Sequence, residues 1–326
     1  MKNLLPGLLF VFNAFVSNGQ IISEKRVETE LDKDIVEFIM VPMEKYGALK
    51  VTYKEKAKGK GKILSVSELS TELKENWFRE YDLDENMVFK RHYVHAPFLT
   101  VLFKRKNKGN FIIYRYKMGA GIVNTIEGVM HPKSIVDDFV SNNEMAMIGA
   151  HVKKEHMLIR IQFSSRKQNI IPFPKEKNAG YPDISEMFVS ERNDLINVVL
   201  LKDRKHNPYV LLNRYNTEDV EEEIKIKVKE KSILSAAITE LGDGKSIVSG
   251  TYGLIGKEVS SGMYISGIDQ EKQSFIKYYP FADFDMAFEH LKESKREKLE
   301  KKKQRKENKN KELDLSFSIT LHEIQR

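Results

Sequence analysis

Two acidic residues, Asp137 and Glu186, stand 49 residues apart, each third in a short apolar segment. The segments read Ile135-Val136-Asp137-Asp138-Phe139-Val140 and Ile184-Ser185-Glu186-Met187-Phe188-Val189. Carboxylates on neighbouring strands suit glycoside hydrolysis, one as general acid and the other as nucleophile or base. An acidic residue at a solvated strand end gives the same pattern. The third copy of the segment carries Ser235 at this place, so the acidic set is not kept throughout.

Histidines are the other candidates. His92 and His95 form H-x-x-H, but on a strand residues three apart point to opposite faces and do not share an ion. His151 and His156 flank a hairpin turn and read as solvated. No H-E-x-x-H, G-x-S-x-G or Walker loop occurs. Gly119-Ala120-Gly121 reads as a turn and not a phosphate cradle, because no long helix follows it. The sequence therefore assigns no metal, no cofactor and no catalytic residue beyond the candidates Asp137 and Glu186.

The elements that must position these residues form a repeat. Segments beginning at Ile135, Ile184 and Ile233 align without gaps, 49 residues apart each time. Each is an apolar strand that ends in a hydroxyl residue and a polar turn. The third turn, Gly242-Asp243-Gly244, carries a strong tight-turn signal. A second strand follows in each unit (145–149, 195–200, 246–250), then a third (157–161, 209–212, 263–266) and a more polar fourth (169–173, 223–228, 274–279). A weaker copy spans 87–126, and strands at 35–41, 49–53 and 63–66 form the earliest. Four strands in roughly 40 to 50 residues is the period of a β-propeller blade. The expectation is an all-β, propeller-like array of four or five four-stranded antiparallel blades over residues 20–280, the alternative being a β-sandwich.

Two helical insertions are expected. Ser65 and Glu68 fit a capping box, and Leu69, Leu73, Trp77 and Tyr81 fall on one helical face, which predicts a helix over 68–81. Phe281, Phe284, Phe288 and Leu291 recur at helical spacing and predict a docked start to a basic helix over 281–312. Residues 292–312 hold eleven Lys or Arg and five Glu, which is +6 of the formal +7. The positive charge is thus one solvated segment without aromatic residues, and nucleic acid is not an expected partner. The same segment lacks the two apolar positions per heptad of a coiled-coil seam.

The ends carry the address. Lys2, the apolar run Leu4–Phe12 and Ser17-Asn18-Gly19-Gln20 follow the pattern of a secretory signal peptide, residues 1–19, cleaved before Gln20. A membrane span needs about 20 apolar residues, and this core is shorter and broken by Asn13. The chain contains no cysteine, so it is not a lipoprotein and has no disulfides. Export to the periplasm, cell surface or exterior is expected, with no transmembrane segment. Residues 313–326 form a terminal strand with Leu315, Phe317, Ile319 and Leu321 on one face. That strand either closes a ring or begins a further blade.

The stretch Lys277-Tyr278-Tyr279-Pro280-Phe281-Ala282-Asp283-Phe284, the basic helix and Leu321-His322-Glu323-Ile324 resemble uncharacterised exported proteins of Bacteroidetes. The resemblance covers about the last fifty residues and implies no activity. It implies a chain continuing past Ile324. The expected function is a non-enzymatic binding or scaffold module, with protein or glycan as partner at a propeller face. The alternative is a glycan-active enzyme using Asp137 and Glu186.

Overall fold

The computed structural model describes residues 34–309 except 57–60, 174–182, 191, 203–206, 217–219, 229–230, 256–258, 271 and 285–291. The expected signal peptide, the terminal strand, Phe288 and Leu291 lie outside the described residues.

Twenty-one strands are described, in five antiparallel sheets. Sheet one holds β1 (Ile35–Pro42), β2 (Ala48–Glu55), β3 (Lys62–Leu69) and β4 (Glu75–Leu83). Sheet two holds β5 (Met87–His95), β6 (Phe98–Arg105), β7 (Asn110–Lys117) and β8 (Gly121–Val129). Sheet three holds β9 (Ile135–Ser141), β10 (Met145–Val152), β11 (Glu155–Gln162) and β12 (Gln168–Pro172). Sheet four holds β13 (Asp183–Val189), β14 (Leu195–Lys202), β15 (Pro208–Tyr215) and β16 (Val220–Lys227). Sheet five holds β17 (Ser232–Ile233), β18 (Ala237–Gly242), β19 (Lys245–Gly253), β20 (Gly262–Asp269) and β21 (Lys272–Pro280). In sheets one to four the strands follow one another as a meander, and in sheet five β17 and β18 share the partner β19; each sheet is laid down by one continuous stretch of chain. This is a β-propeller-like array, as the repeat predicts.

Apolar side chains of successive sheets interleave. Val51, Leu64 and Val66 meet Leu99, Val101 and Phe103 between sheets one and two. Leu102, Ile113 and Ile126 meet Phe139, Ile148 and Ile159 between sheets two and three. Met145, Met147 and Leu158 meet Leu195, Val199 and Leu211 between three and four. Ile196, Val198 and Val210 meet Ile238, Val248 and Tyr264 between four and five. The second strands β6, β10 and β14 are apolar because both their faces are covered, which erases alternation. The first strands line up side by side, with β9 between β5 and β13. The Tyr93 hydroxyl accepts the Val189 N–H at 3.1 Å, reaching from sheet two to sheet four.

Three expectations are corrected. The helix over 68–81 is instead the end of β3, a turn and β4. Trp77 and Tyr81 are four apart, a spacing that one helical face shares with one strand face. Both rings pack edge-on against Tyr116 of sheet two. The expected strand 233–240 is broken into β17 and β18, both paired with β19. Finally, the basic helix does not run from Phe281. A 3-10 turn spans Phe281–Asp283, Phe284 is extended, and the helix α1 covers Glu293–Glu307. Phe281 is buried and Phe284 exposed, so one aromatic anchor suffices for the turn. Along α1 the side chains are largely exposed, and Lys303 returns to the turn, donating to Ala282 O at 2.7 Å.

Candidate metal-binding site

A β-bulge builds the site. In β9, Val136 pairs with Ala150 and Asp138 with Gly149, which leaves Asp137 as an extra residue without a partner position on β10. Such a bulge re-aims the side chain it carries. Bulges recur near the start of β1, β5 and β13, where Val36, Lys90 and Ser185 are the extra residues. Asp137 therefore corresponds to Ser185, and Asp138 to Glu186. The ungapped sequence alignment set this correspondence one residue off.

On the neighbouring strands His151 of β10 stands directly opposite His156 of β11, either side of the two-residue turn Lys153-Lys154. Directly opposed residues share a face, and the two imidazoles lie 5.0 Å apart, tilted by 31°. Asp137 points at them. Its Oδ1 and Oδ2 are 2.7 and 2.9 Å from His151 Nδ1. His156 Nδ1 is 3.6 Å from Asp137 Oδ2. One ligand atom from each of the three residues lies within 4.8 Å of the others. The three side chains are half-buried. Arg91 of sheet two donates to the Asp137 carbonyl at 3.0 Å and holds the bulge from the other side. Gly149 keeps the neighbouring surface close: a Cβ there would stand 2.7 Å from Ile184 Cδ1 and 2.9 Å from Met187 Sδ of sheet four.

No family model matches this chain, and no curated protein matches it. Solved structures with a similar arrangement include the Dos1 propeller, at 13% identity and a TM-score of 0.39, covering 70% of this chain. The apocarotenoid oxygenase of Synechocystis matches at 8% identity and a TM-score of 0.40 over 74% of this chain. The β-propeller domain of the Trilobed protease from Pyrococcus furiosus matches at 9% identity and 0.32 over 77%. This chain spans 56% of the Dos1 propeller and 64% of the oxygenase.

The paired-carboxylate expectation fares differently at its two ends. Asp137 is engaged by histidines. Glu186 Oε2 accepts the Ile238 N–H of sheet five at 3.0 Å, so its carboxylate ties two sheets together. Asp138, at the equivalent place in sheet three, does likewise. Burial pushes its carboxyl up, and the Phe139 and Met187 N–H groups oppose that rise.

His151 and His156 are not the solvated residues expected from the sequence: the two-residue hairpin turn makes them direct neighbours on one face, each mostly covered, and that turn is the signal that could have paired them. The bulge that delivers Asp137 has no sequence signal. His92 and His95, by contrast, lie three apart on β5 opposite Val101 and Phe98, and the structure does not bring them to one face. Gly119-Ala120-Gly121 is a turn, with Ala120 N–H bonded to Lys117 O at 3.0 Å.

Proposed function

We propose that this chain is an exported, non-enzymatic binding module, and that Asp137, His151 and His156 form its site for a divalent transition-metal ion. The observation that carries the reading is the convergence of two imidazoles and one carboxylate from three adjacent strands. Nitrogen-rich donor sets of this kind favour zinc, nickel or copper over magnesium or calcium. Three protein ligands leave a coordination position open, so the ion would be accessible to a donor group of a protein or glycan partner. The non-enzymatic part rests on Glu186. Glycoside hydrolysis needs two carboxylates available to the sugar, and Glu186 spends its charge on a strand N–H. Export rests on the residue pattern of 1–19. Among the described residues no helix is long and apolar enough to cross a membrane.

Calorimetric titration of zinc into the chelator-treated chain lacking residues 1–19 tests this. One saturable site is expected, lost in His151→Ala and in His156→Ala. Unchanged binding in the double variant overturns the metal site. Polysaccharide turnover that disappears in Glu186→Gln overturns the non-enzymatic reading.

A further inference from the structure

Each of the third strands β7, β11 and β15 carries an arginine near its end, on the face toward the following sheet: Arg115, Arg160 and Arg214. Two have protein partners. Arg160 Nη1 reaches Asn216 O at 3.4 Å, and Arg214 lies 3.9 Å from both Asp194 and Glu240. Arg115 differs. It is 6% exposed, and its Nε and Nη2 are buried with no hydrogen-bond partner among the described residues. Its guanidinium sits between two rings, 3.6 Å from the Phe98 centroid and 4.6 Å from that of Phe163 in sheet three. Stacking holds the plane of the cation but leaves its N–H edge unused.

That arginine lines a cleft of about 550 Å³ between sheets two and three, a size typical of small-molecule sites. The rest of the lining is polar: Asn124, Asn143, Gln162 and Ser164 surround it, together with Phe163 and the exposed carboxylate Glu144. A buried cation without a counter-charge is costly, and a carboxylate or phosphate reaching the guanidinium from the cleft relieves that cost. Glu144 decides between these anions. Glu144 repels a dianionic phosphate more strongly than a monoanionic carboxylate, and hydroxyls on a carboxylated ligand can donate to Glu144 while the carboxylate meets Arg115. Amide and hydroxyl side chains supply both donors and acceptors for further hydroxyls.

We infer that this cleft is a binding site for a carboxylated sugar, with Arg115 taking the carboxylate and Asn124, Asn143, Gln162 and Ser164 the ring hydroxyls. Burial lowers the Arg115 pKa to about 10, so the side chain stays cationic at neutral pH. The site lies apart from the Asp137 cluster and does not depend on a metal.

The test is calorimetry of the chain lacking residues 1–19 with oligogalacturonate, with a neutral cello-oligosaccharide and with inorganic phosphate. Oligogalacturonate is expected to bind, and Arg115→Gln to weaken it at least tenfold. Where Arg115→Gln does not fold, Asn143→Ala at the exposed rim and Gln162→Ala carry the test, each with a several-fold loss. No binding of oligogalacturonate, equal binding of the neutral sugar or of phosphate, or full affinity in these variants overturns the inference.

Discussion

Glu186 in β13 and Ile238 in β18 are joined by a hydrogen bond from the Ile238 N–H to Glu186 Oε2, 3.0 Å long. The two residues belong to neighbouring sheets, so this contact works where apolar packing alone leaves the first strands free to slide. Ser185 adds to it, its hydroxyl accepting the Ala236 N–H at 2.9 Å and donating to Ala236 O at 2.6 Å.

Glu186→Ala leaves a half-buried N–H without its charged acceptor. The expected loss is about 1–3 kcal/mol of unfolding free energy. Glu186→Gln keeps an acceptor oxygen and loses less. Urea unfolding of the two variants beside the parent checks the order, and equal stability of all three would remove the inter-sheet role.

The interruption of the fifth first strand has a steric side. A Cβ on Gly250 would stand 2.0 Å from the Ser235 carbonyl oxygen and 3.0 Å from the Tyr264 ring. The Ser235 carbonyl also accepts the Tyr264 hydroxyl at 3.2 Å, and its side chain bonds Thr251. Neither backbone nor ring can retreat cheaply. Gly250→Ala is therefore expected to cost about 2–3 kcal/mol, read as a lowered urea midpoint with an unchanged slope. A midpoint equal to the parent's would show that β17 and β18 give way freely.

Much of this architecture is legible residue by residue. The strands from Ile135 to Pro280 follow the repeat, because apolar runs separated by turn residues leave little other choice. At Gly242-Asp243-Gly244 all three residues take positive φ, as the turn signal requires. The failures share a cause: local spacing is ambiguous where two periods coincide, as at Trp77 and Tyr81, and says nothing about register. The bulge at Asp137 is a register event between strands, fixed by how β9 meets β10 and β5. The cleft at Arg115 is likewise invisible, since Phe98 and Phe163 come from different sheets.

His95 gives the protein an acid-side sensitivity. Burial lowers its pKa below the usual 6.5 and the Arg115 charge lowers it further, against an interaction with the Asn193 side chain that favours the protonated ring and raises it. The folded state therefore favours the neutral ring. Its contribution is complete above about 6.5 and is lost as the pH falls below that value toward the folded pKa, where the unfolded chain takes up the proton first. Melting temperature should fall between pH 7.5 and pH 5.5, and fall less in His95→Gln. An identical pH slope in the variant would assign the acid sensitivity to other groups.

Helix α1 makes a contrasting case. Lys303 pairs with Asp283 at 3.0 Å and Arg296 with Glu300 at 3.0 Å; Asp283, Arg296 and Glu300 are open to water, and only Lys303 is partly covered. Exposed ion pairs contribute about 0–1 kcal/mol. Lys303→Ala is expected to change stability by less than about 1 kcal/mol, with any effect fading at high salt. A larger loss would mean that Lys303 anchors the helix through Ala282 O.

The metal proposal also predicts selectivity. Two imidazoles and one carboxylate discriminate by donor type, so zinc, nickel and copper should raise the melting temperature while magnesium and calcium leave it unchanged. An ion that binds only the folded chain at a hundredfold excess over its dissociation constant adds about 2.7 kcal/mol. Ions also bind unfolded histidines, which reduces the gain, so the comparison must be made within one set of variants. Asp137→Asn removes the single negative ligand but keeps its shape, and should weaken zinc more than His156→Gln does if the carboxylate is a ligand. If Asp137 serves only to orient His151, through the contacts of 2.7 and 2.9 Å, the order reverses. Thermal shifts equal for zinc and magnesium, or equal in parent and Asp137→Asn, would show that the three side chains form a hydrogen-bonded cluster and not a metal centre.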